Sequence, residues 1–263
     1  MLKNKADFGK PQYGNHRITC IAVFLLVSFI LTACSGDIVK TITVGDTGEV
    51  YVHDVDTFTQ GLFVDDGVLY ESSGLSGKSY MYRYDNGLKV DFQDVFLEGC
   101  VMLDDTIYLL TYQDNAAYVV DKDTFEIKKS YYYDREGWGL TTDGKYLIAS
   151  DGTPTLYFMD KDFNLVSTID VYKDGYLRDN INELEYINGY IFANIWHTNT
   201  IVAIDPVSGN VVSSVNVVFD GQDKPDSVLN GIAFDGNSVY LTGKFYDELW
   251  VLPSDRFMRF FSL

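Results

Sequence analysis

Two sets of side chains recur at matched places along this chain, and their types belong to a reactive pocket rather than to a β core. Gln60, Glu98, Trp138, Glu183 and Asn230 open five similar segments, and Ser73, Tyr112, Asp151, Trp196 and Lys244 close them. A plain core would place Val, Ile or Gly there. Carboxyls, amides, an amine and indoles converging from five segments instead describe a ligand site. Each residue alone has an ordinary reading: a core aromatic for Trp138 or Trp196, a buried acceptor for Glu98, an edge charge for Lys244. Their shared place in a repeat is what favours a site. Familiar catalytic patterns are missing, with no His-Glu-x-x-His and no Gly-x-Ser-x-Gly in the chain. The run from Ser72 to Ser79 imitates a phosphate-binding loop, but Ser72 stands where its first glycine should be. His53 and His197 read as hydrogen-bonding residues near loops.

The segments that must position these side chains are hairpins. Gly137-Trp138-Gly139-Leu140 leads through Asp143-Gly144, which tolerates positive φ, to the β-prone return Tyr146-Leu147-Ile148-Ala149. The same plan passes Asp66-Gly67, Asp104-Asp105, Asn188-Gly189 and Asp235-Gly236, and the opening positions follow one another at 38, 40, 45 and 47 residues. A period of this size, built of strands and turns, predicts an all-β, five-bladed β-propeller. Outer hairpins turn at Asp121, Asp160 and Asp205, where an acidic side chain caps its own turn. Val39 to Val44 and Val50 to Val52 read as a strand pair before the first repeat, and an N-terminal strand is expected to complete the last blade and remove a free edge.

Residues 1–33 read as a leader outside that fold. Lys3, Lys5, Lys10 and Arg17 precede an uncharged run with an apolar heart from Ile21 to Leu31. This is the plan of a secretory signal peptide, and the heart is short for a membrane-spanning helix. Leu31-Thr32-Ala33-Cys34 resembles the lipobox of bacterial lipoproteins, which implies lipidation of Cys34, a mature domain over residues 34–263 and an extracytoplasmic, membrane-anchored location. Cleavage there removes four of 20 basic and one of 38 acidic side chains, leaving 16 against 37 and a net charge of −21. Such a surface repels nucleic acid and mildly attracts cationic peptides. Cys20 lies in the leader and Cys34 would be acylated, so Cys100 has no disulfide partner.

In order along the chain stand Phe58-Thr59-Gln60-Gly61-Leu62, Phe96-Leu97-Glu98-Gly99, Gly137-Trp138-Gly139-Leu140, Asn182-Glu183-Leu184-Glu185, Ala193-Asn194-Ile195-Trp196, Val228-Leu229-Asn230-Gly231 and Thr242-Gly243-Lys244. Together they resemble the plant and bacterial glutaminyl-peptide cyclotransferases, from about His53 to Lys244. The resemblance implies a five-bladed propeller that converts N-terminal glutamine to pyroglutamate and releases ammonia, with no metal needed for catalysis. It also implies a pocket of Phe58, Gln60, Phe96, Glu98, Trp138, Asn182, Trp196 and Lys244, with Glu98 as acid/base. Tyr112 stands where these enzymes usually carry tryptophan, and Cys100 where a β-branched residue is usual.

The residue types suit that chemistry. The substrate's α-amine must attack its own side-chain carboxamide, so folding the substrate and moving one proton are the main tasks. Glu98 between aromatic walls would shuttle the proton, Lys244 and Asn182 would steady the oxyanion, and Phe58, Gln60, Phe96, Tyr112, Trp138, Trp196 and Asn230 would bind substrate. Expected partners are peptides beginning in glutamine and the membrane, with the chain acting as a monomer. Two other readings use the same residues. One is a calcium-dependent lactonase-like hydrolase drawing on Glu98, Asp151, Asn182 and Asn230, and the other is a non-catalytic propeller that only binds. A structural calcium ion is compatible with either enzyme.

Overall fold

The computed structural model describes residues 40–45, 48–54, 56–220, 222 and 226–263. The leader over residues 1–33, Cys20, Cys34, and Val39, Asp46 and Thr47 of the expected first strands lie outside the described residues.

Tight turns set the repeat. Asp66 and Gly67 have φ of 47° and 78°, Asn188 and Gly189 50° and 92°, values that bend a two-residue hairpin with the twist of its strands. Each hairpin forms the inner half of a sheet. The five inner strands are Thr59–Asp65, Leu97–Leu103, Leu140–Thr142, Ile181–Ile187 and Val228–Phe234. Their partners are Val68–Ser73, Thr106–Thr111, Leu147–Ala149, Tyr190–Ile195 and Ser238–Lys244. Two further antiparallel strands extend each of the first four sheets. Each inner strand packs against the next and the fifth against the first, so the sheets are five blades of a closed ring.

Side-chain alternation glues the ring, because successive residues of an inner strand face opposite neighbours. Leu62 joins Ala233 and Leu249 of the fifth blade, whereas Phe63 joins Leu97, Cys100 and Leu109 of the second. Val101 turns the other way, to Leu140 and Leu147 of the third blade. Every pair of neighbouring blades shares such a cluster, but the one between the fifth and first has only four fully buried members. A buried polar group reinforces that joint. His53 Nε2 lies 3.2 Å from Glu71, whose carboxylate also accepts the Thr59 hydroxyl at 2.6 Å and the Tyr84 hydroxyl at 2.7 Å.

The N-terminal strands do not pair with each other as expected. Lys40–Thr43 runs parallel to Val211–Val218 at the outer edge of the fourth blade, and Glu49–Val52 pairs antiparallel with Glu248–Pro253. The second strand completes the fifth blade, as the sequence suggests, and the first covers an edge that would otherwise be open. A feature not anticipated is the helix Ser254–Phe261, whose Phe257 and Phe261 sit four residues apart on one face and both reach Phe192 at 4.9 Å between ring centroids. The outer turns are capped as expected: Asp121 accepts the amides of Asp123 and Thr124 at 3.0 Å, and Asp205 that of Val207 at 2.9 Å.

Near the axis the backbones are so close that side chains are excluded. A Cβ on Gly139 would stand 2.1 Å from the Asn182 carbonyl oxygen, and one on Gly99 would stand 2.4 Å from the Leu140 amide. Gly139→Ala must therefore push two blades apart. The expected cost is about 1–3 kcal/mol, measured by thermal denaturation as a Tm fall of roughly 2–4 °C per kcal/mol.

Candidate active site

The pocket begins with an irregularity common to four blades. Between Leu97, paired with Thr111, and Cys100, paired with Leu109, two residues face one, and the extra residue turns Glu98 toward the mouth. Similar register shifts lie at Gln60, at Asn182-Glu183 and at Asn230-Gly231. The equivalent residue of the fourth blade is thus Asn182, not Glu183. Glu183 occupies the place that Gly61, Gly99, Gly139 and Gly231 hold in the other blades, and its carboxylate accepts the Ile232 amide of the adjacent fifth blade at 2.9 Å. In the first blade the closing position is likewise shifted, because Gly74 rather than Ser73 corresponds to Tyr112, Trp196 and Lys244. The Ser73 hydroxyl instead accepts the Phe58 amide at 3.0 Å.

Nine residues enclose a cleft of about 180 Å³. Phe58 and Gln60 come from the first blade, Phe96, Glu98 and Tyr112 from the second, Trp138 from the third, Asn182 and Trp196 from the fourth, and Lys244 from the fifth. Asn230 is not among them. It is fully buried, and its side-chain amide donates to the Thr59 carbonyl at 2.9 Å, tying the fifth blade to the first. Asp151 also stays outside, held by Thr153 and Tyr157. Cys100 is buried in the core beside Leu97, and burial pushes its thiol far above the usual range, so it is an inert filler.

The walls are aromatic and braced. Trp138 and Trp196 meet edge to face at 6.3 Å, and Phe96 leans on Tyr112 at 5.6 Å. Phe58 packs on Phe96 and, behind it, on Phe245, a supporting ring absent from the sequence reading. The Trp138 ring lies directly over Gly152, where any side chain would collide with it. Its indole N–H donates to Glu136 at 3.1 Å, and the same carboxylate accepts the Gln113 amide at 2.6 Å. Glu136 sits in the connection between blades, at no repeated position, so periodicity gives it no signal. Phe96 and Tyr112 also wall a neighbouring hollow of about 370 Å³ lined by Gln93, Asp94, Gln113 and Asp114.

Glu98 and Lys244 are the two charged groups buried in the cleft, 5% and 3% exposed. Glu98 accepts the Gln60 side-chain amide at 3.1 Å. Burial raises its pKa well above the usual carboxylate range, against the pull of the Lys244 ammonium and with a smaller push from Glu136. Burial likewise lowers Lys244 to about 8, opposed by the Glu98 charge. The Lys244 Nζ lies 4.0 Å from the Trp196 ring centroid and 4.6 Å from that of Phe58, a cradle that favours the ammonium. Asn182 is fixed through its backbone. Its carbonyl accepts the Ser150 hydroxyl at 2.7 Å, and Ser150 Oγ in turn accepts the Gly139 amide at 2.8 Å. A buried acid with a raised pKa, a buried amine and an amide around one apolar cleft are groups able to move a proton and to support a developing oxyanion.

Comparison with known proteins agrees with this arrangement. A family profile described as glutamine cyclotransferase matches residues 22–252. This chain belongs to that family. A glutaminyl-peptide cyclotransferase of Arabidopsis thaliana is 34% identical over 218 residues, which cover 76% of this chain and 68% of the plant protein. The crystal structure of Myxococcus xanthus glutaminyl cyclase superposes with a TM-score of 0.73 at 28% identity, over 81% of this chain and 97% of that one. A structure of a nidogen/laminin complex, at 14% identity and a TM-score of 0.50, shares only the fold, over 72% of this chain and 73% of the other.

The buried amine carries a pH-dependent cost. Lys244 is depressed from 10.5 to about 8 in the folded state, so between those values the unfolded chain binds more protons and stability rises with pH. Lys244→Met lacks this contribution. The variant should exceed the wild type in Tm most clearly at pH 7, and thermal melts at pH 7 and 10 should show the margin narrowing.

Proposed function

We propose that the chain is a glutaminyl-peptide cyclotransferase whose reaction takes place in the cleft between Glu98 and Lys244. The observation that carries this reading is the burial of one acid and one amine together against Trp138 and Trp196, in a chain of this family. The cleft suits a single glutamine residue, with its aliphatic part against the indoles and its two nitrogens toward polar groups. The hollow beyond Phe96 and Tyr112 gives the following residues of the peptide a place to lie.

The reaction forms a bond between the α-nitrogen and the side-chain carboxamide carbon and breaks that carbon's bond to the departing nitrogen. One proton must pass between the two nitrogens. Glu98, ionised, takes it from the attacking nitrogen and returns it to the leaving one, and an acid with a raised pKa is suited to both tasks. Lys244 and the Asn182 amide face the oxygen on which charge develops, where one donor is worth about 3 kcal/mol. Glu98 and Lys244 titrate as a coupled pair, each charge sustaining the other. Gln60 orients the carboxyl, and the rings exclude water. Tyr112 supplies a flat wall where relatives place an indole, and its hydroxyl adds a polar edge. Asn230 acts as a strut between blades.

In this reading the proton transfer and the stabilisation of the oxyanion come from the chain's own Glu98, Lys244 and Asn182. Among the described residues no three His, Cys, Asp or Glu side chains converge to hold an ion. Family membership speaks against the lactonase-like reading. We take the chain to act as a monomer, and the net charge of −18 speaks against nucleic-acid partners. We further propose that Cys34 is acylated after removal of the leader and holds the enzyme on the outer side of a bacterial membrane.

Incubation with a short peptide beginning in glutamine should release ammonia and lower the peptide mass accordingly, with no loss of rate in excess EDTA. Glu98→Gln should reduce kcat by about 10²–10⁴. Wild-type product at the spontaneous rate, from folded protein, would refute the reading. In cells, Cys34→Ser should abolish incorporation of labelled fatty acid and move the protein from the membrane fraction to the soluble one.

A further inference from the structure

The pocket contains a brace that the chemistry above leaves without a function. We infer that Glu136 is a positioning residue of this site: its carboxylate joins the Trp138 indole to the Gln113 amide, fixing two walls of the cleft, and sets a second negative charge beside Glu98. The inference rests on the cyclotransferase reading and extends it.

The first part follows from contacts. Trp138 is pinned from below by Gly152 and at its face by Trp196, yet neither contact fixes which way its N–H points. The hydrogen bond to Glu136 does so. The other oxygen of Glu136 holds Gln113, the residue after Tyr112, so a single carboxylate spans from the third-blade wall to the second-blade wall. Loss of that span frees the indole to rotate and the Tyr112 corner to drift, which would widen a cleft sized for one side chain.

The second part follows from charge. The groups around Glu98 are Gln60 from the first blade, Tyr112 from the second, Asn182 from the fourth, Lys244 from the fifth, and Glu136 from the connection between the second and third. Lys244 favours the carboxylate, whereas burial and Glu136 favour the acid. Basic groups near Glu136 are engaged elsewhere: Arg135 binds Asp134 at 2.6 Å and stacks over Tyr157 at 4.2 Å. The charge of Glu136 therefore acts on the pocket, and after burial it is the next cause that raises the Tyr112 phenol. By countering Lys244, it keeps Glu98 basic enough to accept a proton from an amine. A carboxylate paired only with the lysine would be a weaker base.

Two variants separate these effects. Glu136→Gln keeps an oxygen for the indole and removes the charge. Its acid limb in a plot of kcat/KM against pH should move to lower pH by about half a unit or more, the size expected for a nearby charge in a partly screened site. The limb due to the substrate amine is common to both proteins and cancels in the comparison. Glu136→Ala removes the brace as well, so kcat/KM should fall by roughly tenfold and tryptophan fluorescence anisotropy should drop, with both restored by Glu136→Gln. The residue is half-buried on a connection, and circular dichroism should show both variants folded. An active wild type whose Glu136→Gln profile superimposes on its own, or whose Glu136→Ala variant keeps full kcat/KM and anisotropy, overturns this inference alone. A wild type that forms no pyroglutamate overturns the cyclotransferase reading and this inference with it.

Discussion

The close approach of five inner strands around one axis is the constraint on which the rest of the molecule depends. Backbone meets backbone at Gly99 and Gly139 with no room for a Cβ, and in four of the blades the residue beside this close approach is lifted out of the ladder by a bulge. The same irregularity that permits the packing aims Gln60, Glu98 and Asn182 at the mouth. Structural necessity and reactive geometry thus share their positions, one residue apart. Glu183 shows the alternative, a side chain at a glycine position whose carboxylate is taken up by a backbone amide of the adjacent fifth blade.

Within that frame two opposing energies set the state of the pocket. Burial drives Glu98 and Lys244 toward their neutral forms, whereas mutual attraction and the rings of Trp196 and Phe58 favour the charged ones. Burial wins at both residues, and yet Lys244 remains close enough to neutrality to carry a proton at physiological pH. Groups balanced in this way cost stability. They also exchange protons with little driving force in either direction, which is what a transfer between two nitrogens of similar basicity requires.

Much of this was legible in the sequence because its signals are local. Asp-Gly and Asn-Gly turns mark hairpins by their own conformational preferences, and four of them, with Asp104-Asp105 as the fifth turn, define the ring by their period. Nine of the residues nominated for the pocket meet there. What sequence reading missed depends on registers and on partners distant in the chain. Asn182 and Glu183 are adjacent polar residues, and only a bulge decides which one faces the cleft. Asn230 holds the correct repeat position, but the Thr59 carbonyl captures its amide. Glu136 and Phe245 come from connections that no periodicity covers, and the helix Ser254–Phe261 buries just two of its three phenylalanines, too short a pattern to reveal it.

The fifth blade takes its outer strand from Glu49–Val52, near the start of the described chain, and its inner strands from near the end. Residues 49–52 must therefore wait for residues 248–251, far later in the chain, before this sheet can be finished. Closing so long a loop costs only logarithmically more than closing a short one, but the contacts that repay it arrive together and late. Lys244 belongs to that sheet, so the cleft lacks its fifth wall until this distant pairing is made.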